Sequence, residues 1–152
     1  MKNAFQPGVN LWSGVEPKGY RAGQQDEAGQ GFQGVTKHVI LGGRGEPSAF
    51  EVRYFEIEPG GHTRLEKHQH VHSVTIIRGA GYAIVGEELH PLRGFDHIYV
   101  GPMTMHQFVN DGAEPLGFIC VVDADRDRPQ LASDDERAAL LDVPALAGKV
   151  RR

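Results

Sequence analysis

Short segments with the composition of β-strands recur along the chain and are separated by turn residues. They lie at 34–43, 49–61, 72–79, 81–88, 96–102, 106–111 and 116–124. Their spacing of roughly 8 to 15 residues, with Gly, Pro and Asp between them, is typical of an antiparallel sandwich or barrel. The composition agrees, since 20 glycines and nine prolines suit a chain with many turns. The sequence therefore predicts an all-β fold.

The regions on either side of these segments differ from them in composition. We expect three parts: an N-terminal arm (1–34), a β-barrel (35–128) and a C-terminal helical tail (129–152). The arm is rich in glycine and polar residues, and Trp12, Tyr20 and Phe32 are its candidate aromatic anchors. In the tail, Ser133 and Glu136 have the spacing of a capping box, which predicts one short helix.

The segment at 49–61 shows the alternation expected of a strand. Phe50, Val52 and Tyr54 fall on one face, and Glu51, Arg53 and Phe55 fall on the other. The second face is mostly polar, so the pattern by itself suggests one apolar and one polar side.

Composition also narrows the class of protein. The single cysteine, Cys120, excludes an internal disulfide framework and a Cys-x-x-Cys metal knuckle. No apolar run approaches the ~20 residues of a membrane span, and the first residues lack the apolar core of a signal peptide. A net charge of −4 argues against nucleic acid as a partner. We expect a soluble cytoplasmic domain without membrane or nucleic-acid partners.

The histidines are clustered. Four of the eight lie within residues 62–72, and three of these, His68, His70 and His72, alternate along the chain. Alternate residues of a strand share a face, and neutral imidazole is the commonest protein ligand of Zn, Cu, Fe and Ni. A solvated polar turn is the simpler interpretation, but the clustering favours a metal site. His106, from another strand, is the candidate that would complete it.

Residues 59–110 resemble the two sequence motifs of the cupin family, which are small antiparallel jelly-roll β-barrels. The first motif begins at Gly60, ends at Gly79, and has histidine or glutamate at the positions of Glu66, His68 and His72. In this chain two residue types have exchanged places, because the first histidine position holds Glu66 and the glutamate position holds His72.

The second cupin motif falls on "GPMTMHQFVN", with His106 and Asn110 as its histidine and asparagine. Gly101, Pro102 and Met103 stand where the family often has proline and then glycine. The resemblance implies a cupin-like jelly-roll β-barrel, followed here by the short C-terminal helix.

The resemblance also implies a ligand set. His68, His72 and His106 are expected to bind one divalent transition metal ion (Fe, Cu, Mn, Ni or Zn), with Glu66 as the fourth ligand or as an adjacent catalytic base. We call this alignment to the cupin motifs the first register. In a competing register the strand runs straight through the histidine cluster. His68, His70 and His72 would then be the ligands, and Glu66 would lie outside.

Four further residues are candidates for the surroundings of the metal. In the first register His70 lies at the tip of a turn, beside the ligands, and His62 lies in a turn or at the rim. Phe118 and Cys120 share one face of the segment at 116–124 and would line a pocket if that face points inward. A small buried hydrophobic role is the simpler interpretation of Cys120.

An open metal site permits several functions. The first is a mononuclear metal-dependent dioxygenase or oxidoreductase acting on a small apolar, aromatic or diketone-like molecule. The second is a non-redox isomerase or lyase of a sugar or keto acid, and the third is a non-enzymatic small-molecule or metal-binding barrel. The motif region has no pair of neighbouring arginines, and Arg64 and Arg78 are isolated, so it does not indicate a sugar phosphate. Exposed sheet edges and the resemblance both favour a homodimer.

Overall fold

The structure is a computed structural model that describes residues 2–9, 11–20 and 31–152. The strands are β1 (Phe5–Gln6), β2 (Leu11–Trp12), β3 (Lys18–Tyr20), β4 (Gln33–Leu41), β5 (Phe50–His62), β6 (Glu66–Lys67), β7 (His72–Arg78), β8 (Ala80–Val85), β9 (Glu88–Arg93), β10 (His97–Val100), β11 (His106–Val109), β12 (Leu116–Asp123) and β13 (Gln130–Leu131). A helix, α1 (Asp134–Leu141), and a 3-10 turn (Pro144–Leu146) follow.

The strands from β3 onward form one curled antiparallel sheet. Strands β4, β5, β12, β7 and β10 are neighbours in that order. Strand β11 pairs with β5 at one point and with β8 along its length, and β9 continues from β8. The sheet therefore curls so that one of its faces becomes the inside of a barrel. We call this face the inner face. This architecture confirms the predicted all-β barrel with one short C-terminal helix.

The inner face of the curled sheet holds the main hydrophobic core. Its buried members come from β4, β5 and each strand from β7 to β12, and include Val74, Ile76, Phe108, Phe118 and Leu92. Phe118 lies opposite Phe55 on β5 and Ile76 on β7, so the register of β12 places these side chains in one row. Burial of apolar side chains of this size contributes about 1.5–3 kcal/mol each.

The C-terminal tail covers the outer face of β8. Tyr82 and Ile84 pack there with Leu140 and Leu146 in a second buried cluster, and the Tyr82 hydroxyl donates to the carbonyl of Lys149 at 2.6 Å. Strand β8 is buried on both faces, which explains why its sequence "GYAIVG" does not alternate. The capping box predicted for α1 is present, since Ser133 and Glu136 bond to each other's backbone N–H.

The hairpin of β1 and β2 covers the outer face of β5. The rings of Phe5 and Trp12 lie 5.4 and 5.6 Å from that of Tyr54, which is fully buried. Within the predicted arm, residues 1, 10 and 21–30 lie outside the described residues, as does the side chain of Tyr20. No helix in the described part of the chain is long and apolar enough to cross a membrane.

Candidate metal centre

Three histidines from separate segments meet at one end of the inner face. His68 lies in the turn between β6 and β7, His72 begins β7, and His106 begins β11. The backbone links these segments, since His106 is paired with Glu66 of β6. In addition, the N–H of Met103 donates to the carbonyl of His68 at 2.7 Å. Met103 takes a φ of 52°, the left-handed region that glycine adopts more readily.

The ring nitrogens of these three histidines converge. One ligand atom from each of His68, His72 and His106 lies within 4.8 Å of the other two, and the ring centroids are 4.5, 4.9 and 5.1 Å apart. His68 and His106 are buried, with 1% and 3% of their surface exposed. The structure therefore brings together the histidines of the first register. A group of this kind can hold one metal ion.

Hydrogen bonds orient two of the rings. Nδ1 of His68 lies 2.7 Å from the carbonyl oxygen of His70, and Nδ1 of His106 lies 2.9 Å from that of Thr104. A carbonyl oxygen only accepts, so each Nδ1 carries the hydrogen and each Nε2 presents a lone pair. Nε2 of His68 is buried and has no hydrogen-bond partner among the described residues. An unsatisfied buried acceptor fits a site built for a cation.

Burial keeps these imidazoles neutral. Desolvation lowers the pKa of His72 to about 2 and that of His106 to about 4. Repulsion from the positive charge that a protonated neighbouring histidine would carry adds to the effect. The pKa of His68 is lowered for the same reasons. Because the neutral ring is the form that binds metal, all three side chains are in their ligand form at neutral pH.

Glu66 and the three histidines line one cavity, but Glu66 lies outside the group of three converging histidines. Burial raises the pKa of its carboxyl to about 7, while Arg64 is the main charge that opposes the shift. The side chain is therefore placed near the histidines and is poised between its two protonation states near neutral pH. Its role as ligand or base stays a prediction.

His70 stacks on His68 instead of pointing at the same centre as His72 and His106. The two ring centroids are 3.6 Å apart with an interplanar angle of 5°, and Nδ1 of His70 lies 2.7 Å from Oδ1 of Asp127. His68, His70 and Asp127 form a second group with ligand atoms within 4.8 Å. His70 thus lies beside the His68 ring, and its role near a metal stays a prediction.

Asp127 ties the turn that carries His68 and His70, which we call the ligand turn, to the loop after β12. Besides the His70 ring, it accepts the backbone N–H of Gln69 at 2.8 Å and that of His70 at 3.1 Å. The sequence shows no sign of this role, since Asp127 lies almost 60 residues from the turn, within a run of other charged residues. It is the clearest site residue that sequence reasoning missed.

Replacing Asp127 with alanine is expected to weaken metal binding by about 10-fold, the lower end of what losing an outer-shell partner costs. The carboxylate fixes the turn that orients His68, so its loss leaves the ligand less well placed. Competition with a chromogenic chelator measures the affinity. Asp125→Ala, which removes an exposed carboxylate two residues away, is the matched control. Equal affinities in the two variants would contradict the positioning role.

Aromatic and thiol side chains line the cavity together with the histidines. The cavity has a volume of about 280 Å³. Phe118 stacks between Phe55 and Phe108, with centroids 5.3 and 4.9 Å away. Cys120 also lines the cavity, so the face shared with Phe118 points inward. Burial raises the pKa of the Cys120 thiol to about 12, which keeps it protonated at neutral pH. His62 is buried at the end of β5 and is not among the lining residues.

Basic side chains also line this cavity. They are Lys37, Arg53, Arg64 and Arg126. They come from β4, from β5, from the loop after β5 and from the loop after β12, and only the folded chain brings them together. The mostly polar face of β5 points into this cavity, while Tyr54 on its other face lies under the N-terminal hairpin. The motif region alone gave no indication of an anionic ligand, because Lys37, Arg53 and Arg126 lie outside it and join Arg64 only in the folded chain.

Known proteins are similar to this chain in sequence and in fold. The family model described as a cupin domain matches residues 53–122. The 1-methylthio-D-xylulose 5-phosphate methylsulfurylase of Rhodospirillum rubrum is 39% identical over 136 residues, which are 90% of this chain and 83% of the relative.

Two crystal structures are also similar. A cupin 2 conserved barrel domain protein from Rhodopseudomonas palustris is 36% identical, with 100% of both chains covered and a TM-score of 0.88. A cupin-2 domain from Rhodospirillum rubrum is 38% identical over 91% of this chain and 88% of its own, with a TM-score of 0.80. The family match, the relative and the curled sheet agree with the resemblance of the two motifs. The chain belongs to the cupin family.

Proposed function

We propose that this chain is a metal-dependent cupin enzyme acting on a small phosphorylated substrate with an apolar substituent, of the kind named for its methylsulfurylase relative. The observation that carries the proposal is the composition of one cavity. Three neutral imidazoles, an aromatic surface and four basic side chains line the same 280 Å³ space. A sugar phosphate bearing a methylthio group presents oxygens, an apolar sulfur substituent and an anion, which match these three surfaces.

Each surface has a separate task. The rings of Phe55, Phe108 and Phe118 form an apolar surface against which a methylthio group packs, since sulfur makes favourable contacts with aromatic rings. The basic side chains attract the phosphate and raise its local concentration. The two ends of the substrate are thus recognised by different chemistry, which sets its direction in the cavity.

His68, His72 and His106 are the residues that would hold the metal, one of Fe, Cu, Mn, Ni or Zn. A divalent ion bound there supplies Lewis-acid polarisation of a substrate oxygen. The carboxylate of Glu66, with its pKa raised to about 7, can accept a proton at one oxygen and return it later. The side chain of Cys120 and the phenyl rings exclude water from the apolar surface of the cavity.

A metal-dependent dioxygenase or oxidoreductase is the second candidate function. The stacked phenyl rings beside the three histidines favour it, because they suit an apolar or aromatic substrate. The four basic side chains favour the first candidate instead, since a positively charged lining suits an anionic substrate better than an uncharged one. From the sequence we also propose a cytoplasmic homodimer that binds no nucleic acid.

Turnover with defined metals tests the proposal. The protein is stripped of metal, reloaded in turn with Mn, Fe, Ni, Cu or Zn, and incubated with 1-methylthio-D-xylulose 5-phosphate, with and without a low-molecular-weight thiol. Phosphorus NMR and mass spectrometry follow the substrate and its methylthio group. We expect consumption that requires a metal and the phosphate group.

The controls are the metal-free protein and the same sugar without phosphate. Loss of substrate at equal rates with and without metal would contradict the proposal, and so would no consumption with any metal. Oxygen uptake by the Fe or Cu form with an aromatic or diketone substrate would favour the second candidate.

A further inference from the structure

The four basic side chains of the cavity differ in their partners. Arg53 and Arg126 both bind Glu51, at 2.9 Å through Nε of Arg53 and at 3.1 Å through Nη1 of Arg126. Arg126 also donates to the carbonyl of Asp123 at 2.7 Å. The Glu51 carboxylate therefore offsets part of the positive charge of these two arginines, and some of their hydrogen-bonding groups are used within the protein.

Arg64 is held in a different way. It lies in the loop between β5 and β6, and its guanidinium carbon is 5.0 Å from the centre of the Phe32 ring. Stacking on an aromatic ring fixes the plane of a guanidinium group without using its N–H donors. No carboxylate of the described residues forms an ion pair with Arg64.

The Nε atom of Arg64 is buried and has no hydrogen-bond partner among the residues that the structure describes. A buried donor without an acceptor is costly, and most such donors in native proteins have a partner. Arg64 lines the cavity, so an acceptor delivered by a ligand there can satisfy it. Guanidinium groups bind phosphate through two parallel N–H···O bonds.

Of the residues that the structure describes, two acidic ones line the cavity, Glu66 and Asp127. Asp127 is bound to the turn that carries His70. Glu66 feels the charge of Arg64 but forms no ion pair with it. Lys37 lines the same cavity and adds a further positive charge to its field. The surroundings of Arg64 are thus suited to an anion.

We infer that Arg64 is the phosphate anchor of this cavity, with Phe32 holding the plane of its guanidinium, and that Arg53 and Arg126 shape the site without being the main contacts. This inference rests on the proposed function, since it assigns the recognition of the phosphate to one residue. It makes Arg64 a specificity-determining residue that favours phosphorylated substrates.

Phosphate binding tests the inference without any turnover. Isothermal titration calorimetry with inorganic phosphate and with a pentulose 5-phosphate is carried out on the metal-free protein, so that phosphate cannot bind a metal ion instead. Arg64→Gln is expected to lose about 10- to 100-fold in affinity, as for a charge-assisted hydrogen-bonding pair. Arg64→Lys should recover part of the loss, and it also serves as the informative variant if Arg64→Gln does not fold.

Two comparison variants sharpen the result. Arg93→Gln removes an exposed arginine at the end of β9 and is expected to bind phosphate as the wild type does. Arg126→Gln should lose less affinity than Arg64→Gln. Wild-type affinity in both Arg64 variants, or a larger loss in Arg126→Gln, would overturn the inference.

The outcome is distinguishable from that of the proposed function. If phosphate binds through Arg64 but no substrate is consumed, the anchor stands and the proposed reaction fails. If the wild type turns over the phosphorylated substrate and Arg64→Gln keeps both its KM and its phosphate affinity, the reaction stands and the anchor fails. With both correct, Arg64→Gln raises KM for the phosphorylated substrate far more than it lowers kcat.

Discussion

Replacing His106 with alanine is expected to empty the metal centre, from about one ion per chain to almost none. The three imidazoles form one group with ligand atoms within 4.8 Å of each other, and two imidazoles hold an ion far less well than three. The affinity should fall by at least ~100-fold, more than the loss of an outer hydrogen-bond partner costs. Elemental mass spectrometry and chelator competition measure the stoichiometry and the affinity.

Further histidine variants test the alternatives. His97→Ala, at an exposed position on β10, is the matched control and should keep its metal. If His68, His70 and His72 were the ligands, His70→Ala would lose the ion and His106→Ala would keep it, which is the opposite of our expectation. Glu66→Ala decides whether that carboxylate is a fourth ligand, since only a ligand's loss lowers the affinity strongly.

Replacing Gly79 with alanine is expected to destabilise the fold by about 3 kcal/mol or more. Gly79 has a φ of 73°, a left-handed conformation that costs other residues roughly 1–2 kcal/mol. In addition, a Cβ atom there would collide with the carbonyl oxygen of Pro115 and lie 3.0 Å from the Cα of Leu116. Both neighbours are backbone atoms, which move only if the turn before β12 moves.

Thermal and urea unfolding of the metal-free protein measure this effect. A loss of about 3 kcal/mol corresponds to a decrease in Tm of roughly 10 °C for a chain of this size. Gly94→Ala is the control, because a Cβ atom at Gly94 meets nothing within 4 Å. Equal stability of the two variants would show that the close approach at Gly79 is relieved at little cost.

Local sequence patterns were sufficient for the fold class and for much of the candidate centre. The turn residues between short strands predicted an all-β chain, and the Ser133–Glu136 spacing predicted α1. The resemblance of residues 59–110 to the two cupin motifs implied the three histidines that the structure brings together. The strands and α1 depend on backbone geometry over a few residues, and they are therefore visible in the sequence.

The tertiary structure decided which faces point inward and which distant residues meet. The alternation of side chains along β5 places Arg53 and Tyr54 on opposite faces of the strand. It does not show that Arg53 faces the cavity while Tyr54 packs under the N-terminal hairpin. Asp127 reaches the ligand turn, and Arg64 reaches Phe32, because antiparallel pairing brings strands from distant parts of the chain side by side. A single sequence specifies the period of each strand and the conformation of its turns. The partners across the barrel depend on register and curvature, which only the folded chain defines.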